Sequence, residues 1–159
     1  KCNPPQKFQE QMITMHRQAL NYIVSKDRKN DVQPGCTFCT IRQTNPIIDL
    51  ETHRHFYSDC IHVERYWTEI RDWALQSHNA NYSVRDRIYG KSDQEPYSID
   101  NTLLREARST LWKCRLSKTI PNLIDLKNRL KRQIPTLLLV HKNKEITLGL
   151  KKLNRMAEN

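Results

Sequence analysis

Cys36, Cys39, His55 and Cys60 constrain this chain more than any other feature, because Cys-x2-Cys-x15-His-x4-Cys assembles the ligand types that zinc takes in a closed tetrahedron. A Cys-x2-Cys step presents two sulfurs from one side of a tight turn, and Pro34-Gly35 supplies that turn. The other half comes from Glu51-Thr52-His53-Arg54-His55, where a His-x4-Cys step wraps a metal at the start of the helix that follows Cys60. His53 competes with His55 for the nitrogen position, since both lie on one short loop, and His62 is a third candidate. Four such ligands leave no position for a substrate water, so zinc here is structural. The competing explanations are reduced thiols buried as small hydrophobes and a Cys-x2-Cys redox pair. The redox pair requires a helix-opening βαβ context that is missing around Thr37-Phe38. Cys2 reads as an exposed terminal thiol and Cys114 as a helix-packing residue. An odd total of five cysteines, with ligand spacing, argues against a secreted disulfide framework.

A chain of 159 residues holds one domain or two small lobes. No apolar run approaches the roughly 18 residues that a membrane span needs. The start, Lys1-Cys2-Asn3-Pro4-Pro5, has neither a signal-peptide apolar core nor an initiator methionine, which suggests a piece of a longer polypeptide or a processed chain. The net charge of +10 is uneven: residues 1–100 hold 13 Lys/Arg against 13 Asp/Glu, whereas residues 101–159 hold 14 against 4. A basic module joined to a neutral one reads as a polyanion-binding surface beside a structural unit, with nucleic acid as the commonest polyanion. A membrane surface is the lesser alternative, and a solvated lysine-rich face without a partner is the plain one.

The apolar periodicity is helical almost throughout, which predicts a mainly α protein: a helical bundle with a zinc-stapled loop, an irregular connection and a basic C-terminal helical lobe. Phe8, Met12, Met15, Ala19 and Ile23 predict a helix over 7–25, followed by a polar linker over 26–33, so that 1–33 forms an N-terminal unit. Residues 34–78 combine the metal loop with a helix striped by Val63, Trp67, Ile70 and Ala74; Trp67 and Trp73 are expected to anchor the loop to the bundle. Residues 79–100 read as a connection with short helical pieces around Val84 to Tyr89.

Over 101–159, Leu104, Ala107, Leu111 and Cys114 mark one helix, and Leu123, Leu126, Leu130 and Ile134 a second that Pro135 is expected to end. Ile146, Leu150 and Leu153 mark a third, weakened by Gly149, with Leu137 to Val140 as its start or as a short strand. The cations alternate with these stripes. Arg105, Arg108, Lys113, Arg115 and Lys118 on the first helix, and Lys127, Arg129, Lys131 and Arg132 on the second, are therefore expected outside, flanking a groove that takes phosphate. Trp112 reads as a core residue rather than a stacking platform.

The residues resemble the C-terminal zinc-binding domain of reverse transcriptases from non-LTR, LINE-type retrotransposons. That motif is Cys-x-x-Cys, an acidic residue with Thr or Ser, a His four residues after the acid, a Cys five further on, and a closing Trp. Here it reads Cys36-Thr37-Phe38-Cys39, then Glu51 through Cys60, then Trp67. The stretch from Leu103 to Arg115 also looks like the helix downstream of the finger, so the likeness covers about residues 30 to 135. Many members place Gly after the second Cys, where this chain has Thr40.

The resemblance implies His55 over His53 as the ligand. It also implies a domain at the end of a large polyprotein, carrying an RNA-directed DNA polymerase and an endonuclease upstream. Such a domain binds template RNA, at its 3′ region, and/or target DNA during target-primed reverse transcription, contacts the upstream reverse transcriptase domains, and works in the nucleus after a cytoplasmic ribonucleoprotein stage. The chain itself contains no Tyr-x-Asp-Asp and no adjacent aspartate pair to hold catalytic magnesium, so no catalytic site is expected in it. Two rival functions remain: a metal-dependent nuclease using His53, His62 and Asp59, and a zinc-stabilised protein-interaction adaptor, for which a lobe this basic has no use.

Overall fold

The computed structural model describes residues 35–42, 51–75 and 80–159. The helix expected over 7–25, its linker and Cys2 lie outside the described residues. The described elements are α1 (Thr37–Arg42), a π-helical turn (His55–Asp59), α2 (Ile61–Leu75), α3 (Val84–Tyr89), α4 (Ile99–Ser117), α5 (Leu123–Val140) and α6 (Lys144–Glu158). The protein is mostly helical, and no strand occurs among the described residues. Side chains that satisfy the first free backbone N–H groups start four of these helices: Ser83, Ser98, Asn122 and Asn143 each accept from an N–H one turn on.

α4 is the central helix. Leu103, Leu104, Ala107 and Leu111 are fully buried, and polar Asn101 and Thr102 are too, because α3, α5 and α6 pack against it, the Tyr66 hydroxyl of α2 donates to the Ala107 carbonyl, and Phe56 of the π turn meets Trp112. One cluster of buried residues runs from Cys36 and Phe38 through Trp67, Leu104 and Leu130 to Ala157. The metal loop and the basic helices therefore share a core rather than forming lobes with separate interiors.

The connection before α4 is folded onto it by Asn101, which is fully buried. Its amide donates to the carbonyls of Lys91 at 2.9 Å and Glu95 at 3.0 Å and accepts from the Lys91 N–H at 2.8 Å. Gly90 makes this possible: its φ of 85° suits glycine, and a Cβ there would come within 3.0 Å of the Asn101 Oδ1. Asp100 ties the same connection down, accepting from the Tyr82 hydroxyl at 2.8 Å and pairing with Lys91 at 3.2 Å.

Pro135 does not end α5, which continues to Val140, so Leu137 to Val140 is neither a new helix nor a strand. Proline removes one backbone hydrogen bond and crowds the carbonyl of Lys131. Both Pro135 and Lys131 are exposed, so water can serve that carbonyl. Ile134 before the proline and Leu137 and Leu138 after it pack on the core, and only a continued helix keeps all three there. α5 then turns through 141–143 and packs along α6.

Candidate metal centre and basic surface

Cys36 precedes α1, Cys39 lies within it, His55 opens the π turn and Cys60 closes it. The turn brings His55 and Cys60 together: the Cys60 N–H donates to the His55 carbonyl at 2.9 Å, a five-residue step that stacks the first residue under the last. Thr52 sets the entry, its hydroxyl accepting from the His55 N–H at 3.0 Å while its carbonyl accepts from the Phe56 N–H at 2.8 Å. At Cys60 the backbone becomes extended, and its carbonyl then accepts from Val63 and Glu64 to start α2.

The ligand atoms of Cys36, Cys39, His55 and Cys60 all lie within 4.8 Å of one another, close enough to hold one metal ion. Sγ of Cys60 is 3.7 Å from that of Cys36 and 3.6 Å from that of Cys39, and the Cys39 Sγ is 3.5 Å from the His55 Nε2. Among the described residues this is the one Cys/His/Asp/Glu group that converges in this way, and its nitrogen comes from His55. The set fits a soft cation: three sulfurs and one imidazole, with Cys36 and Cys60 fully buried; nearby in the chain, Phe38 stacks on Phe56 at 5.7 Å. The Cys60 thiol is pushed down, first by the hydrogen bond from the Cys36 thiol and then by the N–H groups of Val63 and His62 at the start of α2. Cys36, as the donor in a buried pair, goes up.

Two residues of the loop couple this centre to α4. Glu51 is buried and accepts from Thr37 N–H at 3.4 Å, ahead of Cys39, and from the Arg115 Nε at 3.0 Å. A second contact runs from the Arg115 Nη2 to the same oxygen. Arg115 also lies over the Trp112 ring at 5.6 Å, and Trp112 meets Phe56 edge-on at 6.2 Å. Trp67 anchors the loop from α2, its indole N–H donating to the Tyr57 carbonyl at 2.7 Å. Trp73 does not anchor the loop, because its N–H donates to the Met156 carbonyl at 3.2 Å and so holds α6 instead.

The cations of α4 and α5 divide into two groups, and the first corrects their expected outward placement. Arg108 is buried among the elements around α4, with its guanidinium donating to the Asp86 carbonyl at 3.4 Å. Burial pushes Arg108 down to about 10 and the neighbouring Tyr57 phenol up to about 12. Arg115 faces Glu51. Glu106, itself buried, takes Arg105 at 3.0 Å and Arg129 at 2.7 Å, and Lys127 lies over Trp73 at 5.4 Å. Lys113, Lys118, Lys131 and Arg132 form the outward group. On α6, Lys144, Lys151 and Arg155 are also exposed, which the apolar pattern did not single out as a binding face.

The described residues define a mostly helical protein with a Cys3His cluster close enough to hold one metal ion. No family model, curated protein or solved structure matches the chain.

Proposed function

We propose that this chain is the C-terminal zinc-binding module of a non-LTR retrotransposon reverse transcriptase, binding template RNA, target DNA or both during target-primed reverse transcription. The observation that carries the reading is the convergence of Cys36, Cys39, His55 and Cys60 at the spacing of that family's motif. Zinc suits these donors. Bonds of about 2.3 Å to sulfur and about 2.0 Å to nitrogen, at tetrahedral angles, separate two sulfurs by about 3.8 Å and sulfur from nitrogen by about 3.5 Å. Three of the six separations here are 3.7, 3.6 and 3.5 Å, and all six lie within 4.8 Å. A zinc held by four protein ligands staples the loop and offers no activated water.

The motif's acidic residue and threonine also have roles that fit this reading, Glu51 by tying the loop to α4 and Thr52 by setting the turn that presents His55. Exposed lysines and arginines on α4, α5 and α6 supply the phosphate-directed charge that sequence-independent binding needs. Catalysis in this scheme belongs to the polymerase and endonuclease domains upstream. The module works in the nucleus, after a cytoplasmic ribonucleoprotein stage. A nuclease centred on His53, His62 and Asp59 has less support, since those three do not converge and Asp59 pairs with Arg54 at 2.8 Å.

Metal analysis of the purified chain tests the centre, with one zinc per chain expected and loss of it in both Cys60→Ser and His55→Ala. Zinc retained in both variants overturns the ligand set. Binding to labelled hairpin RNA and duplex DNA across a salt series tests the partner: steeply salt-dependent binding with intact probes is expected. Weak, salt-insensitive binding points to the adaptor, and cleaved probes to the nuclease.

A further inference from the structure

The geometry points to a single seat for a nucleic-acid strand, the groove between the end of α4 and the first turns of α5, which takes the phosphodiester backbone and makes no use of the bases. This inference rests on the nucleic-acid reading above and narrows it to one place. The groove measures about 410 Å³ and is lined by Lys113 from α4 and by Arg129 and Arg132 from α5, with neutral hydrogen-bonding groups between them, among them Ser117, Thr119 and Asn128. Three cations face one carboxylate there, Asp125. That carboxylate is already engaged in the first turn of α5, where it accepts from the Asn122 amide at 2.9 Å.

Arg129 is oriented for phosphate. Its Nε donates to the buried Glu106 at 2.7 Å, which fixes the guanidinium plane, and a guanidinium carries four further N–H donors for a second acceptor. Lys113 and Arg132 are exposed, so they can meet a phosphate without first breaking an ion pair. Among the described residues no aromatic side chain lines the groove, so these residues offer no surface on which a base could stack, whereas stacking platforms mark grooves that hold bases. Phosphate contacts without base contacts position a strand and carry no sequence information. The aromatic residue nearest in sequence, Trp112, is turned the other way, onto Phe56 and Arg115.

Two measurements on the full chain test the seat. The first compares Lys113→Glu/Arg132→Glu with Lys144→Glu/Lys151→Glu, a reversal of equal charge at exposed positions of α6 that do not line the groove. The groove variant is expected to bind a single-stranded oligonucleotide about tenfold more weakly and to lower the salt slope by about 2, with the α6 variant changing much less. Equal weakening in both variants overturns the seat while leaving the nucleic-acid reading intact; a parent chain that binds no strand at all overturns both. The second measurement compares the parent chain's affinity for that oligonucleotide and for an abasic deoxyribose-phosphate strand of equal length. Equal affinity is expected. Loss of binding to the abasic strand overturns the backbone assignment, because it means that bases supply the contacts.

Discussion

The metal loop and the α5–α6 hairpin are held together in different ways. Around Cys36, Cys39, His55 and Cys60 the chain makes short elements, a six-residue helix and a five-residue π turn. Such pieces are below the length at which helices persist alone, so contacts to α2 and α4 must hold them, joined by ligand bonds wherever a metal is bound. α5 and α6 are long, and each presents a leucine stripe: Leu126, Leu130 and Ile134 on one, Leu150 and Leu153 on the other. The loop adds a few specific contacts to its share of the core, Glu51 with Arg115 and Trp67 with the Tyr57 carbonyl among them, whereas the hairpin rests on many aliphatic contacts.

The sharpest break in that comparison is removal of one ligand. Cys60→Ser, or chelation of the parent chain, is expected to release the metal and cost several kcal/mol, since structural zinc contributes folding free energy directly. Hydrogen exchange checks it: amides of 35–42 and 51–60 should lose protection while α5 and α6 keep most of theirs, and uniform loss would mean that the two regions unfold as one. Next in size is Arg115→Met, which leaves Glu51 buried without its guanidinium; the two side chains are 9% and 1% exposed. Breaking a buried pair from one side costs about 3–5 kcal/mol, and a denaturant melt should report it together with weakened metal affinity, because Glu51 also holds the Thr37 N–H.

Leu130→Ala tests the other region. Deleting a fully buried leucine should cost about 2–5 kcal/mol in the same melt while leaving the metal content at its parent value. The smallest effect runs the other way. A Cβ on Gly149 would meet Ile99 at 3.7 Å, an ordinary contact, so Gly149→Ala should raise stability by about 0.5–1 kcal/mol through helix propensity. A loss instead would show that α6 packs against the start of α4 with no room to give.

Particular residues show how much of this was legible in the chain itself. The three cysteines of the cluster, and the need for a histidine beside them, could be read from spacing because a metal's demands are local in chemistry: few residue types qualify, and their separations along the chain are short. The stripes of α2, α4, α5 and α6 were legible because burial of one face repeats with the helical period. Choosing between His53 and His55 from spacing alone was beyond reach, since the π turn that stacks His55 under Cys60 has no periodic signature.

Composition and spacing by themselves determined a helical protein with a Cys/His cluster and an excess of positive charge near its end. The tertiary structure alone decided which cations face water. An arginine opposite an apolar stripe reads as exposed until another element covers that side, and α4 is covered on nearly every side. Arg115 meets Glu51 from 64 residues upstream, Arg129 meets Glu106, and Arg108 is enclosed near Asp86. Such pairings depend on which helices pack together, a property of the whole chain, so the periodicity of a single helix carries no trace of them.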